Sequence, residues 1–163
     1  MDLIIIRGNS GSGKTTIARA LHNELGEDSL LLSQDVVRRE MLQVHDRPGN
    51  LAISLIQQIA LYGIKHCKYV IIEGIFNKQK YNNMLQSLIS LPEVNAHIYY
   101  FDLPFEETVC RHNTKGDTDF GEEKMKSWFV EHDYLGNPQE QMLNQFMNKK
   151  EILAKIIREL KKA

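Results

Sequence analysis

Eight residues near the start of the chain carry the most specific chemistry in it: Gly8-Asn9-Ser10-Gly11-Ser12-Gly13-Lys14-Thr15 fits the pattern G-x-x-x-x-G-K-[ST]. Each residue type there has a task in binding a polyphosphate. Gly8, Gly11 and Gly13 lack a Cβ, so the loop can take left-handed backbone angles and turn successive N–H groups onto phosphate oxygens. The loop opens a helix, whose dipole adds to the pull on an anion. Lys14 supplies a mobile positive charge for the β- and γ-phosphates, and the Thr15 hydroxyl is placed to ligate a bridging Mg²⁺. The predicted nucleotide contacts run through Gly8, Asn9, Ser10, Gly11, Ser12, Gly13, Lys14, Thr15 and Thr16, with ATP and Mg²⁺ as the expected ligands. A ligand-free glycine-rich turn is the plain alternative. The strand before the pattern and the helix after it weigh against that alternative.

Three further groups of residues could do chemistry beside a triphosphate. Asp35 and Arg38, three apart, follow an apolar run, and ligands of an open α/β sheet gather beyond the carboxyl ends of its strands. Asp35 can therefore meet an acceptor substrate, with Arg38 sharing its helix face; an ordinary helix cap and ion pair is the competing reading. Glu73-Gly74 ends another apolar run, where a carboxylate can face the metal's water shell or the acceptor and a glycine lets a ligand approach the backbone. Arg111, His112 and Lys115 could bring cations to the transferring phosphoryl group; a solvated basic helix end explains them nearly as well.

The elements that must hold these groups can be read from periodicity. Leu3 to Ile6 is short, apolar and rich in β-branched residues, as expected of a strand covered on both faces. The first helix keeps Ile17, Leu21 and Leu25 on one face and stops at Gly26. A second strand, Leu30 to Ser33, delivers Asp35. Gln43 to Asn50 reads as a loop, then a helix runs from Leu51 to His66 with Asn50 as its cap. Tyr69 to Ile72 is a third strand; Tyr81, Met84, Leu85, Leu88 and Ile89 mark the next helix, halted at Pro92. His97 to Asp102 is a fourth strand, and Pro104 starts a helix reaching Arg111 and His112. Residues 113–136 are polar, glycine-bearing and short of aliphatic anchors, with the only Trp of the chain at 128, and read as a mobile lid. Gln141 to Phe146 reads as an edge strand, followed by an amphipathic helix carrying Ile152, Ile156 and Leu160.

Composition limits the functional classes. A chain of 163 residues with 42% hydrophobic and 25% charged residues fits one domain, 1–163, with its own core. Twenty Lys and Arg against 21 acidic residues argue against a life on nucleic acid or an anionic membrane. Cys67 and Cys110 are isolated and suit a reducing compartment. No leader is read at the N-terminus and no run reaches the ~20 apolar residues of a membrane helix, so a cytoplasmic protein, monomer or homodimer, is expected. GTPase signals are poor: Asp46-Arg47-Pro48-Gly49 matches D-x-x-G but follows a helix, and Asn148-Lys149-Lys150-Glu151 misses N-K-x-D at its last position.

In their order, the phosphate loop, the Asp and Arg three apart, Glu-Gly after the third strand and an Arg-bearing helix leading to a lid resemble the small P-loop kinases. The chain is similar in outline to the group of zeta-toxins, chloramphenicol phosphotransferases and polynucleotide 5′-hydroxyl kinases. That resemblance implies a three-layer α/β fold, a five-stranded parallel sheet in the order 2-3-1-4-5 with helices on both faces. It also implies Lys14, Asp35 and Arg111 as catalytic residues: Asp35 as the base for an acceptor hydroxyl, Arg111 on the nucleotide and transferred phosphoryl. Arg38, Glu73 and Lys115 would face the substrate, and Thr15 the Mg²⁺, with Glu73 reaching it through water. A second lid arginine is missing, and Lys115 or His112 would stand in for it. Two functions compete: a kinase phosphorylating a hydroxyl of a small molecule or, less favoured, a nucleic acid 5′ end, and an NTPase switch without a phosphorylated product. The missing guanine motif and the placement of Asp35 favour the kinase.

Overall fold

Residues 1–116 and 119–162 are described by a computed structural model of the chain. Five strands, β1 (Asp2–Gly8), β2 (Ser29–Ser33), β3 (Tyr69–Gly74), β4 (Asn95–Phe101) and β5 (Glu140–Leu143), form one sheet in the order β2-β3-β1-β4-β5. Every neighbouring pair is parallel, and Ile4 of the central strand aligns with Ile71 on one side and His97 on the other. The expected order is the observed one.

The alternation of β1 explains the three layers. Leu3 and Ile5 point into one core with Ala52, Ile56 and Ala60 of α2 (Leu51–His66) and Tyr81, Leu85 and Leu88 of α3 (Lys78–Ile89). Ile4 and Ile6 point into the other, with Ile17 and Leu21 of α1 (Lys14–Leu25) and Ile152 and Ile156 of α6 (Lys149–Leu160). A wholly apolar strand is what a sheet covered on both faces requires. Each of these isoleucines is fully buried, contributing roughly 1.5–3 kcal/mol relative to exposure.

Helix starts follow the caps. The Asn50 side chain accepts from the Ala52 N–H, and Asn148 forms a reciprocal capping box with Glu151. The near miss to a guanine-reading motif is thus a helix start. Likewise Asp46 of the D-x-x-G match accepts from Lys80 and Tyr81 of α3, pinning the loop before α2.

Besides the edge strand, which ends at Leu143 and not at Phe146, two elements differ from the periodicity reading. After β2 the chain forms a π-helical segment, Val36–Met41, and not an α-helix. The second difference lies in the proposed lid range 113–136, of which residues 117 and 118 lie outside the described residues. It contains a short helix, α5 (Glu122–Trp128), following α4 (Phe105–Asn113), and it has apolar anchors after all: Met125 is buried and Leu135 joins the core beneath α2 and α3. Among the described residues no helix is long and apolar enough to cross a membrane.

Candidate functional site

The phosphate loop lies between the end of β1 and the start of α1, at the carboxyl edge of the sheet. Gly8, Gly11 and Gly13 all have positive φ (146°, 80° and 98°), as read from the motif. Gly11 is the most constrained: a Cβ there would lie 2.5 Å from the Thr108 carbonyl oxygen and 2.9 Å from Cε of Met125. The loop, α4 and α5 therefore pack as one unit.

Lys14 folds back over the loop, donating to the Asn9 carbonyl at 2.8 Å and the Ser12 hydroxyl at 3.3 Å. Burial pulls its ammonium down from 10.5 to about 8, against the attraction of Glu73 and Asp35, with Lys115 and Arg7 adding repulsion. Phosphate oxygens on Lys14 favour the protonated amine, so triphosphate binding is linked to its charge. Affinity is expected to hold below pH 8 and to fall as pH rises through it, by up to about tenfold per unit until the bound form also titrates. Calorimetry at pH 7 and pH 9, in buffers of different ionisation enthalpy, reads both the fall and the proton taken up at the higher pH. Stability has the opposite sign: the native state holds fewer protons than the unfolded chain between about 8 and 10.5, so stability rises with pH across that window.

Around the loop opens a cleft of about 240 Å³ lined by Ser10, Gly13, Lys14, Thr15, Thr16, Asp35, Glu73, His112 and Lys115, with Asp119 and Phe120 above. The Thr15 hydroxyl donates to Oε1 of Glu73 at 3.2 Å. Glu73 is buried, and Asp35, mostly exposed, forms no capping bond despite starting the π-helical segment. Its partner is Nη2 of Arg38 at 3.3 Å, and Nη1 of Arg38 donates to the Val44 carbonyl at 3.1 Å. Arg38 is thus half engaged in holding the following loop.

The lid-entrance cations separate into three roles. Arg111 donates through Nη1 to the Ser12 carbonyl at 3.0 Å and through Nε to Glu107 at 2.6 Å, bracing the phosphate loop from α4. His112 is buried, stacked on Phe120 at 4.8 Å between ring centroids, with Nε2 2.9 Å from the Phe120 carbonyl oxygen. Only Lys115 remains exposed on the cleft, so of the two stand-ins for a second lid arginine it is the available one. Gly74 also serves differently from the expectation: its missing Cβ leaves room for Gln34, whose Oε1 would lie 2.3 Å from that atom and accepts from the Phe76 N–H. A side chain of the protein, not a ligand, approaches that backbone.

Arg7 and its partners escape a reading of the sequence. Fully buried at the end of β1, Arg7 donates through Nη2 to Asp133 (2.7 Å) and the Phe76 carbonyl (3.0 Å), and through Nη1 to Glu140 (2.9 Å) and the Asp133 carbonyl (2.5 Å). Its guanidinium also lies 4.9 Å from the centre of the Tyr100 ring. Two residues on, the Asn9 side chain makes a pair of hydrogen bonds with the backbone of Val130, at 2.8 and 3.0 Å. Asn9 therefore offers the loop its carbonyl for Lys14 and spends its amide on Val130, towards the far end of the 113–136 range. The lid range divides accordingly into a start that covers the cleft and an end tied to β1. In hydrogen exchange, amides at 129–136 should be the better protected. ATP with Mg²⁺ should change the emission of Trp128, half-exposed and 4.9 Å from Phe120 between ring centroids. Unchanged emission and uniform exchange across the range would remove the lid assignment.

The profile of an AAA domain family, AAA_33, matches residues 3–128. No curated protein matches the sequence. Among solved structures, a gluconokinase from Sinorhizobium meliloti 1021 superposes with a TM-score of 0.72 at 13% identity, covering 99% of this chain and 92% of its own. The Mycobacterium tuberculosis APS kinase, solved with AMPPNP and APS, gives 0.71 at 16% identity over 98% and 97% of the two chains. A tunicamycin resistance protein from Deinococcus radiodurans gives 0.66 at 15% identity over 98% and 95%. At these identities the likeness is one of fold.

Proposed function

The chain belongs to the AAA domain family, and from that premise we propose that it is a kinase moving the γ-phosphoryl group of ATP to a hydroxyl of a small molecule. The observation that carries the reading is Asp35: a carboxylate free of any capping duty, lining the same cleft as Lys14, Thr15 and Glu73. Fold likeness to a gluconokinase and an APS kinase supports it.

The roles follow from the geometry. Loop N–H groups and Lys14 hold the phosphates, and Arg111 keeps the loop in shape through Ser12. Thr15 and Glu73 offer hard oxygens 3.2 Å apart at the cleft, a donor set that suits Mg²⁺. Among the described residues no cage of three or more His, Cys, Asp or Glu gathers, and Mg²⁺ bound by one or two protein oxygens, phosphates and water asks for none. When bound, Mg²⁺ would neutralise charge on the phosphate oxygens. Asp35 orients the acceptor hydroxyl and takes its proton as the oxygen bonds to the γ-phosphorus and the β,γ-bridging P–O bond breaks, leaving ADP. Lys115, from the lid, faces the group in transit.

Incubation with γ-labelled ATP, Mg²⁺ and a panel of alcohols, sugars, nucleosides and 5′-hydroxyl oligonucleotides tests the reading. Label should appear in an acceptor. Phosphate release at the same rate with and without every acceptor would return weight to a nucleotide-dependent switch.

A further inference from the structure

Resting on the kinase reading, we infer that the acceptor is a compact alcohol with an apolar body and an anionic end, held in a second cleft that meets the nucleotide cleft at Thr15 and Glu73. This cleft, about 240 Å³, lies between α1, the edge strand β2 and the π-helical segment. Thr15 and Glu73 line both clefts. A ligand in the second one can therefore present one end to the reacting phosphoryl group while its body stays clear of the nucleotide.

The walls state what that body is. Leu31, Val36 and Met41 line it, and Val36 and Met41 are 36% and 55% exposed, large apolar side chains left uncovered. A sugar finds no hydrogen-bond partner on these three side chains, whereas an alkyl or aryl body gains from the contact. Met41 is unbranched and can adapt to such a body. The π-helical segment that presents both residues is a local geometry that recurs at functional sites. The volume is below the ~300–1,000 Å³ of drug-sized pockets, which limits the ligand to a compact one.

Arg19 supplies the other end. It lies one turn along α1 from Thr15, is exposed on the cleft, and makes no ion pair or side-chain hydrogen bond among the described residues. Arg38 and Arg111, by contrast, are each held by a carboxylate, from Asp35 and Glu107. The nucleotide cleft is the poorer fit: beyond the loop its walls carry three carboxylates, Asp35, Glu73 and Asp119, beside Ile75, His112 and Phe120, and its exposed cation, Lys115, already faces the transferring phosphoryl group. In the transfer the alcohol oxygen forms the new bond to the γ-phosphorus, the β,γ-bridging P–O bond breaks with its electron pair leaving on ADP, and the hydroxyl proton passes to Asp35.

The test uses para-(hydroxymethyl)benzoate as probe, with para-methylbenzyl alcohol, glucose and a 5′-hydroxyl dinucleotide as comparators, under γ-labelled ATP and Mg²⁺. The benzoate should be phosphorylated saturably, with kcat/KM at least about tenfold above glucose and the dinucleotide. Arg19→Gln should raise KM for the benzoate about tenfold and leave KM for the uncharged alcohol and for ATP unchanged. Val36→Trp, filling the cleft, should abolish transfer to both alcohols with ATP binding intact; if that variant does not fold, the Arg19→Gln comparison decides. Transfer to glucose or the dinucleotide with both alcohols inert overturns the second cleft and leaves the kinase standing. So does an equal effect of Arg19→Gln on charged and uncharged alcohols. ATP binding without transfer to any of the four overturns both.

Discussion

Lys14→Met is expected to lower phosphoryl transfer by about 10³-fold or more while the melting temperature at pH 7 stays at or above that of the wild type. The rate effect follows from charge: a preorganised cation aimed at phosphate oxygens in a water-poor cleft is worth several kcal/mol of transition-state stabilisation. The stability effect follows from burial. Holding the ammonium at about 8, down from 10.5, means that the folded state disfavours its charged form, on the order of 3 kcal/mol at neutral pH. Methionine matches the length of the stem and removes the charge, so that cost disappears with it. Initial rates beside thermal melts separate the two effects. A mutant that keeps wild-type transfer removes Lys14 from the mechanism; one that melts well below the wild type shows that the side chain holds the loop together through Asn9 and Ser12.

What the sequence reveals of this site, and what it conceals, follows from the range of each interaction. The phosphate loop is legible because all its parts lie within eight residues and each position has its own backbone or charge requirement. β1 and β3 are legible because burial on both faces forces consecutive apolar residues. The parallel order 2-3-1-4-5 was implied by resemblance; no local pattern states which strand lies beside which.

Arg7 shows why the remainder was hidden. Its carboxylate partners are 126 and 133 positions away, and neither Asp133 nor Glu140 differs in its neighbourhood from a surface acid. The available signal was the place of Arg7: a charge between a doubly covered strand and a phosphate loop has to be buried, and a buried guanidinium needs distant acids. The polar composition of 113–136 was misleading for the same reason. Asn9 and Arg7 anchor its end from across the sheet, and Met125 anchors its middle on Gly11, so a few contacts do what aliphatic content was expected to do. His112 and Lys115 are equivalent in a sequence. Only the fold shows that one ring is stacked on Phe120 and the other cation is free to reach the cleft.

Asp35→Asn is expected to lower transfer by about 10²–10⁴-fold with ATP affinity within about twofold of the wild type. The substitution keeps the shape and can keep a contact with Arg38, whose Nη2 lies 3.3 Å from Oδ1, but an amide cannot accept the acceptor proton. Two features make the stability arm informative. Asp35 makes no capping bond with the backbone, so no cap is lost, and its pair with Arg38 is exposed on the Asp side, where such pairs contribute ~0–1 kcal/mol. The melting temperature should therefore shift little, and any fall in rate is chemical. Asp35 is also one of two carboxylates attracting the Lys14 ammonium, the weaker after Glu73, so ATP binding at pH 7 should change little while the downturn of binding at alkaline pH moves slightly lower. Single-turnover transfer, nucleotide titration and melts on this variant give three independent readings. Undiminished transfer would sink the base assignment and leave Glu73, hydrogen-bonded to Thr15, and Asp119 as the other carboxylates on the cleft.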